Sequence, residues 1–153
     1  MGRGLISLIV FAAILAANDR ANAAGAIAEG IAPGGVAKGY GFGIHVNGPN
    51  ADAARAAALA ACQKAPKQLA SGAPPDAAQA KARAQCAVVS SFSNKCVAVA
   101  LDPKDGTPGA GWAVGDTQKQ ADDESLARCR NTAGADRRGF CKVTNQLCDG
   151  TAK

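Results

Sequence analysis

The chain has 153 residues, of which 48% are hydrophobic and 4% aromatic, and its formal net charge is +5. Such a modest positive charge does not favour a nucleic-acid partner. The sequence also predicts neither a bound cofactor nor a metal site, because it holds a single histidine and its six cysteines lack the paired spacing of zinc motifs.

The first 23 residues have the pattern of a secretory signal peptide. Arg3 precedes an apolar run over residues 5–17, and Ala21-Asn22-Ala23 offers the small residues that signal peptidase accepts. The run is shorter than the roughly 18 residues of a membrane-spanning helix. We therefore expect cleavage near Ala23 and a secreted or periplasmic protein without a membrane span in its mature form. Retention of the run as an N-terminal anchor is the alternative.

The cysteines all lie in the predicted mature part, where they are Cys62, Cys86, Cys96, Cys129, Cys141 and Cys148. An even number of cysteines in an exported chain favours disulfide bonds. Alanine and glycine fill most apolar positions, so the core is poor in bulky side chains. Three bridges at about 2 to 4 kcal/mol each would supply much of the net stability of a small domain.

The first half of the mature part predicts two strands, a helix and a returning strand. The strands cover residues 25–31 and 39–46, and the second alternates glycine with Tyr40, Phe42 and Ile44, which leaves one face bare for close packing. Asn50 is placed to cap a helix over residues 51–64. Residues 67–85 are rich in Ala, Pro, Gln and Lys, and we interpret them as an exposed insertion with at most a short helix over residues 76–84. A strand over residues 86–92 follows.

The second half repeats this order. It predicts strands over residues 97–101 and 109–114 with a turn between them, and then a helix to about Arg130 in which Thr117 and Gln120 form a capping box. A strand over residues 140–147 closes the half, and residues 149–153 form a C-terminal tail.

Matched segments in the two halves indicate an internal duplication. Ala26-Ile27-Ala28 is aligned with Val97-Ala98-Val99, Gly41-Phe42 with Gly111-Trp112, Cys62 with Cys129, and Cys86 with Cys141. Each unit is β-β-α-β. The sequence therefore predicts an α+β fold, with tandem repeats over about 25–95 and 96–148 that form one disulfide-stapled domain, residues 24–148, with antiparallel sheet.

The repeat also predicts the disulfide pairing. If each cysteine at a helix end bridges to the strand that returns beneath it, the bonds are Cys62–Cys86 and Cys129–Cys141. Cys96 and Cys148 are then left to join the two halves. Symmetry favours this pattern among the 15 that six cysteines allow.

No set of residues in the sequence forms a recognisable catalytic motif. His45 is the only histidine, with Asp52 nearby in the chain, and Ser90, Ser91 and Ser93 lack the strand-to-helix elbow of a nucleophilic serine. We expect structural roles for these residues, so an enzyme is the less favoured prediction. A cell-envelope hydrolase that uses His45 is the alternative.

The densest group of positive charge is the candidate binding surface. We call it the basic group, and its members are Arg128, Arg130, Arg137, Arg138 and Lys142. We favour a solvated helix end, where cations are stabilised, as the explanation of these charges, and a polyanion site is the alternative. Tyr40, Phe42 and Trp112 are expected in the core rather than on an aromatic binding surface.

Several motifs together resemble a family of small secreted bacterial proteins, catalogued as domain of unknown function 4189. They are the Gly-Ala-Ile-Ala opening, the aromatic-glycine strands, the Leu-x-x-Cys helix ends and Cys-x-Val-Val-x-x-Phe-x-x-x-Cys, over about residues 25–148. The long insertion departs from the pattern, as does Lys142-Val143-Thr144 in the last strand. The resemblance implies export and a disulfide-stapled α+β domain, and it brings no catalytic residues with it.

The sequence thus predicts an exported, monomeric, non-enzymatic module that binds a protein or an envelope polymer. A secreted effector or inhibitor is a further alternative to this prediction.

Overall fold

The computed structural model of the protein describes residues 24–65, 77–104 and 106–153. The predicted signal peptide and residues 67–76 of the predicted insertion lie outside this part. The first repeat consists of β1 (Ala24–Ile31), β2 (Tyr40–Gly48), α1 (Ala51–Lys64), α2 (Ala77–Ala84) and β3 (Ala87–Phe92). The second repeat consists of β4 (Cys96–Leu101), β5 (Ala110–Gly115), α3 (Gln118–Thr132) and β6 (Lys142–Cys148).

The strands form two antiparallel sheets, in the orders β2-β1-β3 and β5-β4-β6. Side chains from both sheets share one buried cluster, in which Ile27 and Phe42 of the first repeat meet Val97 and Val99 of the second. Alanines on the opposite face of β1 pack against α1, and Ala98 of β4 packs against α3. The α+β fold of two β-β-α-β repeats is therefore confirmed, with a helix on the outer face of each sheet.

The strand register corrects the alignment of the repeats. Ile27 pairs with Ile44 in the first sheet, and Val97 pairs with Val114 in the second. Ile27 is therefore equivalent to Val97, and Ala28 to Ala98. The sequence alignment of β1 with β4 was wrong by one residue, which would have turned every side chain of the strand to the other face.

Glycines allow the helices to approach the sheets closely, as the bare face of β2 predicted. A Cβ atom built on Gly43 would lie 2.3 Å from the carbonyl oxygen of Ala58 and from the amide nitrogen of Cys62. On Gly111 it would lie 2.5 Å from the amide nitrogen of Cys129. Any side chain at these positions would push the helix away from the sheet.

The helix starts are also as predicted. Asn50 accepts a hydrogen bond from the amide of Ala53, and the Thr117 hydroxyl accepts one from Gln120. The Gln120 side chain accepts from the amide of Asp116 rather than from that of Thr117, so the capping box is shifted by one residue.

Part of the predicted insertion is buried, which corrects the expectation that it is exposed. One face of α2 packs on the first repeat, where Gln79 is only 1% exposed and Ala82 is fully buried. Gln79 Nε2 donates to the carbonyl oxygen of Tyr40 at 3.2 Å, and Arg83 Nε donates to that of Ala65 at 2.8 Å. The helix thus covers the start of β2 and the C-terminal end of α1.

The last strand begins later than predicted. Phe140 belongs to a 3-10 turn, Arg138–Phe140, and its side chain is 49% exposed. The guanidinium of Arg137 lies 4.0 Å from the centre of its ring. Phe140 therefore contributes to a surface contact and not to the β6 ladder.

The disulfides are Cys62–Cys86, Cys129–Cys141 and Cys96–Cys148, the pairs that repeat symmetry predicts. The first two tie α1 and α3 to the loops that precede β3 and β6. The third does not join the two halves, because Cys96 and Cys148 are register partners on β4 and β6 of the same sheet. That part of the prediction was wrong.

The two repeats are instead joined by their shared core and by Asp149, which is fully buried. Its carboxylate accepts a hydrogen bond from the amide of Asn47 at 2.6 Å and from that of Asn94 at 3.1 Å. Asn47 lies near the end of β2, and Asn94 lies between β3 and β4. The residues after β6 are therefore bound to the first repeat and do not form a free tail.

Candidate functional site

A cleft of about 390 Å³ lies between the first repeat and the second, and we call it the inter-repeat cleft. Its lining consists of Glu29, Ile31, Val36, Tyr40, Ala110, Gly111, Trp112, Arg128, Asn131 and Thr132. Two other cavities, of about 570 and 490 Å³, are lined by no charged side chain. The inter-repeat cleft is the one of these three in which a carboxylate, a guanidinium and two aromatic rings come together.

The wall from the first repeat is formed by a carboxylate and a phenol. Glu29 is register partner to Phe42 on β2, and its carboxylate emerges beside Tyr40 at the start of that strand. The Tyr40 hydroxyl donates to Glu29 Oε2 at 3.1 Å, and the tyrosine is only 3% exposed. The hydrogen bond holds the carboxylate in one orientation at the edge of the core.

The environment of Tyr40 keeps its hydroxyl protonated. Burial raises the pKa of Tyr40 well above its ordinary value, and the negative charge and hydrogen bond of Glu29 raise it further. The phenol is therefore a hydrogen-bond donor at neutral pH and not a base. Its oxygen retains lone pairs that can accept from a ligand.

The wall from the second repeat is formed by an indole and a guanidinium. Trp112 lies on β5, half-buried against the shared core, and Arg128 lies on α3. The Arg128 guanidinium carbon lies 5.5 Å from the centre of the indole ring, within the range of a cation–π contact. The ring holds the planar guanidinium over it while leaving the N–H groups of an exposed arginine available to a ligand.

The end of α3 is fixed to β5 beneath this wall. The Thr132 hydroxyl accepts a hydrogen bond from the amide of Ala110 at 3.0 Å and donates one to the Ala110 carbonyl oxygen at 2.8 Å. The hydroxyl is therefore engaged in tying the helix to the strand. Asn131, in the same turn, adds an exposed amide to the lining.

The lining sets limits on the chemistry of the cleft. It contains one carboxylate, so it lacks the pair of acids that glycoside hydrolysis uses. It contains no serine, cysteine, histidine or lysine, and its one aliphatic hydroxyl is bound to the backbone. The lining thus supplies hydrogen-bonding groups and apolar surface rather than a nucleophile with its base.

The structure gives no geometric support to a hydrolase centred on His45. His45 and Ser91 are both register partners of Ala26, on opposite sides of β1. Two strand spacings place their Cα atoms about 10 Å apart, with β1 between the two strands that carry them. Asp52 is an exposed residue of the first turn of α1.

The basic group is spread over different surroundings. Arg137 forms a bidentate ion pair with the buried Asp102, with nitrogen–oxygen distances of 2.6 and 2.8 Å, so its charge is engaged in the fold. Arg128 lies over Trp112 of β5, whereas Lys142 lies on β6, at the opposite edge of the second sheet. Arg130 and Arg138 are exposed. Of these five residues, Arg128 is the one that lines the inter-repeat cleft.

Sequence reasoning did not identify Glu29 or Tyr40 as parts of a site. A signal existed for Glu29, because it is a charged residue inside an otherwise apolar strand. No comparable signal singled out Tyr40, which alternates with glycine along β2 in the same way as Phe42. Trp112 was placed in the core, and the structure finds it half-buried with its side chain also lining the cleft.

Residues 24–65, 77–104 and 106–153 contain neither a cluster of metal-ligating side chains nor a helix that could span a membrane. Nowhere in these ranges do three or more His, Cys, Asp or Glu side chains form a group that could hold a metal ion. Within the same ranges, none of the helices has both the length and the apolar character needed to cross a membrane.

Comparison with known proteins identifies the family of the chain. Neither the curated proteins nor the solved structures include a match to it. The family model described as Domain of unknown function (DUF4189) matches residues 24–148, which include every strand and helix of both repeats. The chain therefore belongs to the DUF4189 family.

Proposed function

We propose that the protein is an exported, non-enzymatic binding module whose ligand occupies the inter-repeat cleft. The observation that carries this proposal is the composition of the cleft. It combines the Glu29–Tyr40 pair of the first repeat with the Trp112–Arg128 pair of the second over a partly apolar lining. A concave site with few convergent polar groups is typical of ligand-binding pockets, and its volume lies within the roughly 300 to 1,000 Å³ that they span.

A comparison of the repeats supports a functional origin for these side chains. In the first sheet Glu29 pairs with Phe42, and the equivalent pair in the second is Val99 with Trp112. Similarly, Tyr40 is equivalent to Ala110, each pairing with the last residue of the preceding strand. The second repeat thus forms the same hairpin with Val99 and Ala110 in place of Glu29 and Tyr40. The carboxylate and the phenol are therefore not required by the β-β-α-β plan.

Export is supported by the signal-like N-terminal sequence and by three disulfides, which persist in oxidising compartments. The candidate partners are a protein and an envelope polymer.

Trp112 makes the proposal directly testable, because it is the only tryptophan of the chain. Its fluorescence in oxidised mature protein would be followed during titration with neutral oligosaccharides, polyanions and short peptides. We expect one of these classes to change the emission with saturation. Arg128→Ala should weaken that binding at least about tenfold, a change of about 1.4 kcal/mol.

The matched control is Arg130→Ala, which removes an equally charged and exposed residue from the same helix but outside the cleft. It should leave binding unchanged. Saturable binding that both variants retain would overturn the assignment of the site, and the absence of binding by all three classes would overturn the proposed function.

A further inference from the structure

We infer that the ligand of the inter-repeat cleft is a neutral carbohydrate, such as a segment of an uncharged envelope glycan. This inference rests on the proposed function and specifies its ligand. The hydrogen-bonding groups, the apolar surface and the charges that line the cleft each support it.

The two walls offer complementary hydrogen-bonding groups. Glu29 presents acceptor oxygens. The Tyr40 hydroxyl donates its hydrogen bond to Glu29, so its oxygen can act as an acceptor for a ligand. Across the cleft, Arg128 presents donors only, and Asn131 presents both donors and an acceptor. A sugar hydroxyl donates and accepts at once, so neighbouring hydroxyls on one ring can satisfy both walls.

Between the walls lies apolar surface of a kind that suits the C–H face of a sugar ring. Ile31 is 39% exposed although it belongs to a strand, and Val36 and the indole of Trp112 are half-buried beside it. An amphipathic ring that buries its C–H groups here gains contact area, while its hydroxyls remain at the polar rim.

The charges of the cleft disfavour a ligand that carries either a net negative or a net positive charge. Glu29 and Arg128 are its charged lining residues, and their charges cancel. An anionic ligand that binds Arg128 meets the carboxylate of Glu29, and a cationic ligand that binds Glu29 meets the guanidinium of Arg128. A neutral ligand can donate one charge-assisted hydrogen bond to Glu29 and accept another from Arg128 without either repulsion.

The test compares neutral tetrasaccharides with an anionic tetrasaccharide of the same length and with a zwitterionic dipeptide. Oxidised mature protein would be titrated with tetrasaccharides of glucose, mannose and N-acetylglucosamine, with tetragalacturonate, and with a zwitterionic dipeptide, and Trp112 emission and calorimetry would be recorded. We expect at least one neutral tetrasaccharide to bind at least about tenfold more tightly than tetragalacturonate and the dipeptide.

Two conservative variants locate the contact. Glu29→Gln keeps an acceptor for Tyr40 but removes the charge, and Trp112→Phe keeps an aromatic side chain against the core. Each should weaken the binding of the neutral tetrasaccharide at least about fivefold, measured by calorimetry because Trp112→Phe removes the fluorophore. The thermal midpoint should stay near that of the wild type, and Arg130→Ala should leave binding unchanged.

The outcomes separate this inference from the proposed function. If tetragalacturonate or the dipeptide binds in the cleft and no neutral tetrasaccharide does, the carbohydrate inference is wrong and the binding module stands. If a neutral tetrasaccharide binds with an affinity that all the cleft variants retain, the site is wrong. If none of the probes binds, both are wrong.

Discussion

The two repeats share a backbone plan but cover the turn end of their first hairpin differently. In the first repeat the amide of Ala32 donates to the carbonyl oxygen of Gly39, and in the second the amide of Asp102 donates to that of Gly109, both at 2.9 Å. Beyond this shared bond, α2 covers the end in the first repeat. In the second repeat the Asp102–Arg137 ion pair covers it.

This difference shows which parts of the fold the duplication fixes. The contacts common to both repeats include the strand register, the helix caps, the close approach of helix to sheet and the bridge from each helix to its returning strand. The features found in one repeat alone are α2, the buried ion pair, the Cys96–Cys148 bridge and the side chains of the inter-repeat cleft. Each of these can be removed to ask whether the shared plan suffices without it.

The largest effect is expected from the bridge that the first repeat lacks. Cys96 is equivalent to Ala26, since it precedes Val97 as Ala26 precedes Ile27. The Cys96→Ala and Cys148→Ser double variant therefore gives the second sheet a cystine-free pair like that of the first. The bridge spans 52 residues, and loop-closure entropy predicts a loss of about 4 kcal/mol in the free energy of unfolding.

Chemical denaturation of the oxidised proteins would measure this loss. Removal of Cys129–Cys141, which spans 12 residues, should cost less, about 3 kcal/mol by the same relation. A larger loss for Cys129–Cys141 than for Cys96–Cys148 would show that the entropy of the unfolded chain is not the dominant contribution of these bridges to stability.

The second effect concerns the ion pair. Arg137→Ala leaves the fully buried carboxylate of Asp102 without its partner, and we expect a loss of about 3 kcal/mol. Arg138→Ala removes the neighbouring, exposed arginine and should change stability by less than about 0.5 kcal/mol. Thermal or urea unfolding measures both. Equal behaviour of the two variants would show that the pair is not needed to close the hairpin.

The contribution of this pair should depend on pH. The Arg137 hydrogen bonds hold the pKa of Asp102 below its ordinary value, against the opposing effect of burial. The stabilisation is therefore complete above the unfolded pKa of about 3.9 and is lost as pH falls through the lower folded value. The stability difference between wild type and Arg137→Ala should shrink below about pH 4. A difference that stays constant down to pH 2 would contradict the assignment.

Much of this fold follows from local sequence rules. Asn50 and Thr117 mark the helix starts because a short polar side chain can satisfy the free amides there. The cysteine pairs at the helix ends followed from the repeat. The face of β4 could not be assigned in the same way, since Val97, Val99 and Leu101 alternate with Cys96, Ala98 and Ala100, and both sets are buried.

The inter-repeat cleft could not be predicted, because it is made by packing between distant segments. Glu29 and Arg128 are 99 positions apart in the chain and approach only through the shared core of the two sheets. The basic group illustrates the converse case. Arg137 and Arg138 are adjacent in sequence, but one is engaged with Asp102 and the other is exposed, which chain proximity does not reveal.

The third effect tests a feature that both repeats share, the close approach of helix and sheet. Gly43→Ala places a Cβ atom against backbone atoms of α1, so the helix has to shift, and we expect a loss of about 2 kcal/mol. The control is Gly139→Ala, where an added Cβ would have no atom within 4 Å. It should be nearly neutral. Urea unfolding distinguishes the two, and a neutral Gly43→Ala would show that α1 is not held at this distance.

The smallest effect tests whether α2 is part of the first repeat or merely lies on it. Gln79→Ala removes the hydrogen bond to the Tyr40 carbonyl from a buried position and should cost about 1 to 2 kcal/mol. Gln85→Ala, at an exposed position just after the helix, is the matched control and should be neutral. Hydrogen exchange gives a second measurement: if α2 closes the hairpin as the ion pair does in the second repeat, the variant should lose protection at Ala32, whose amide bonds to Gly39. Because Tyr40 follows Gly39 directly, unchanged protection there would mean that the β1–β2 hairpin closes without the helix.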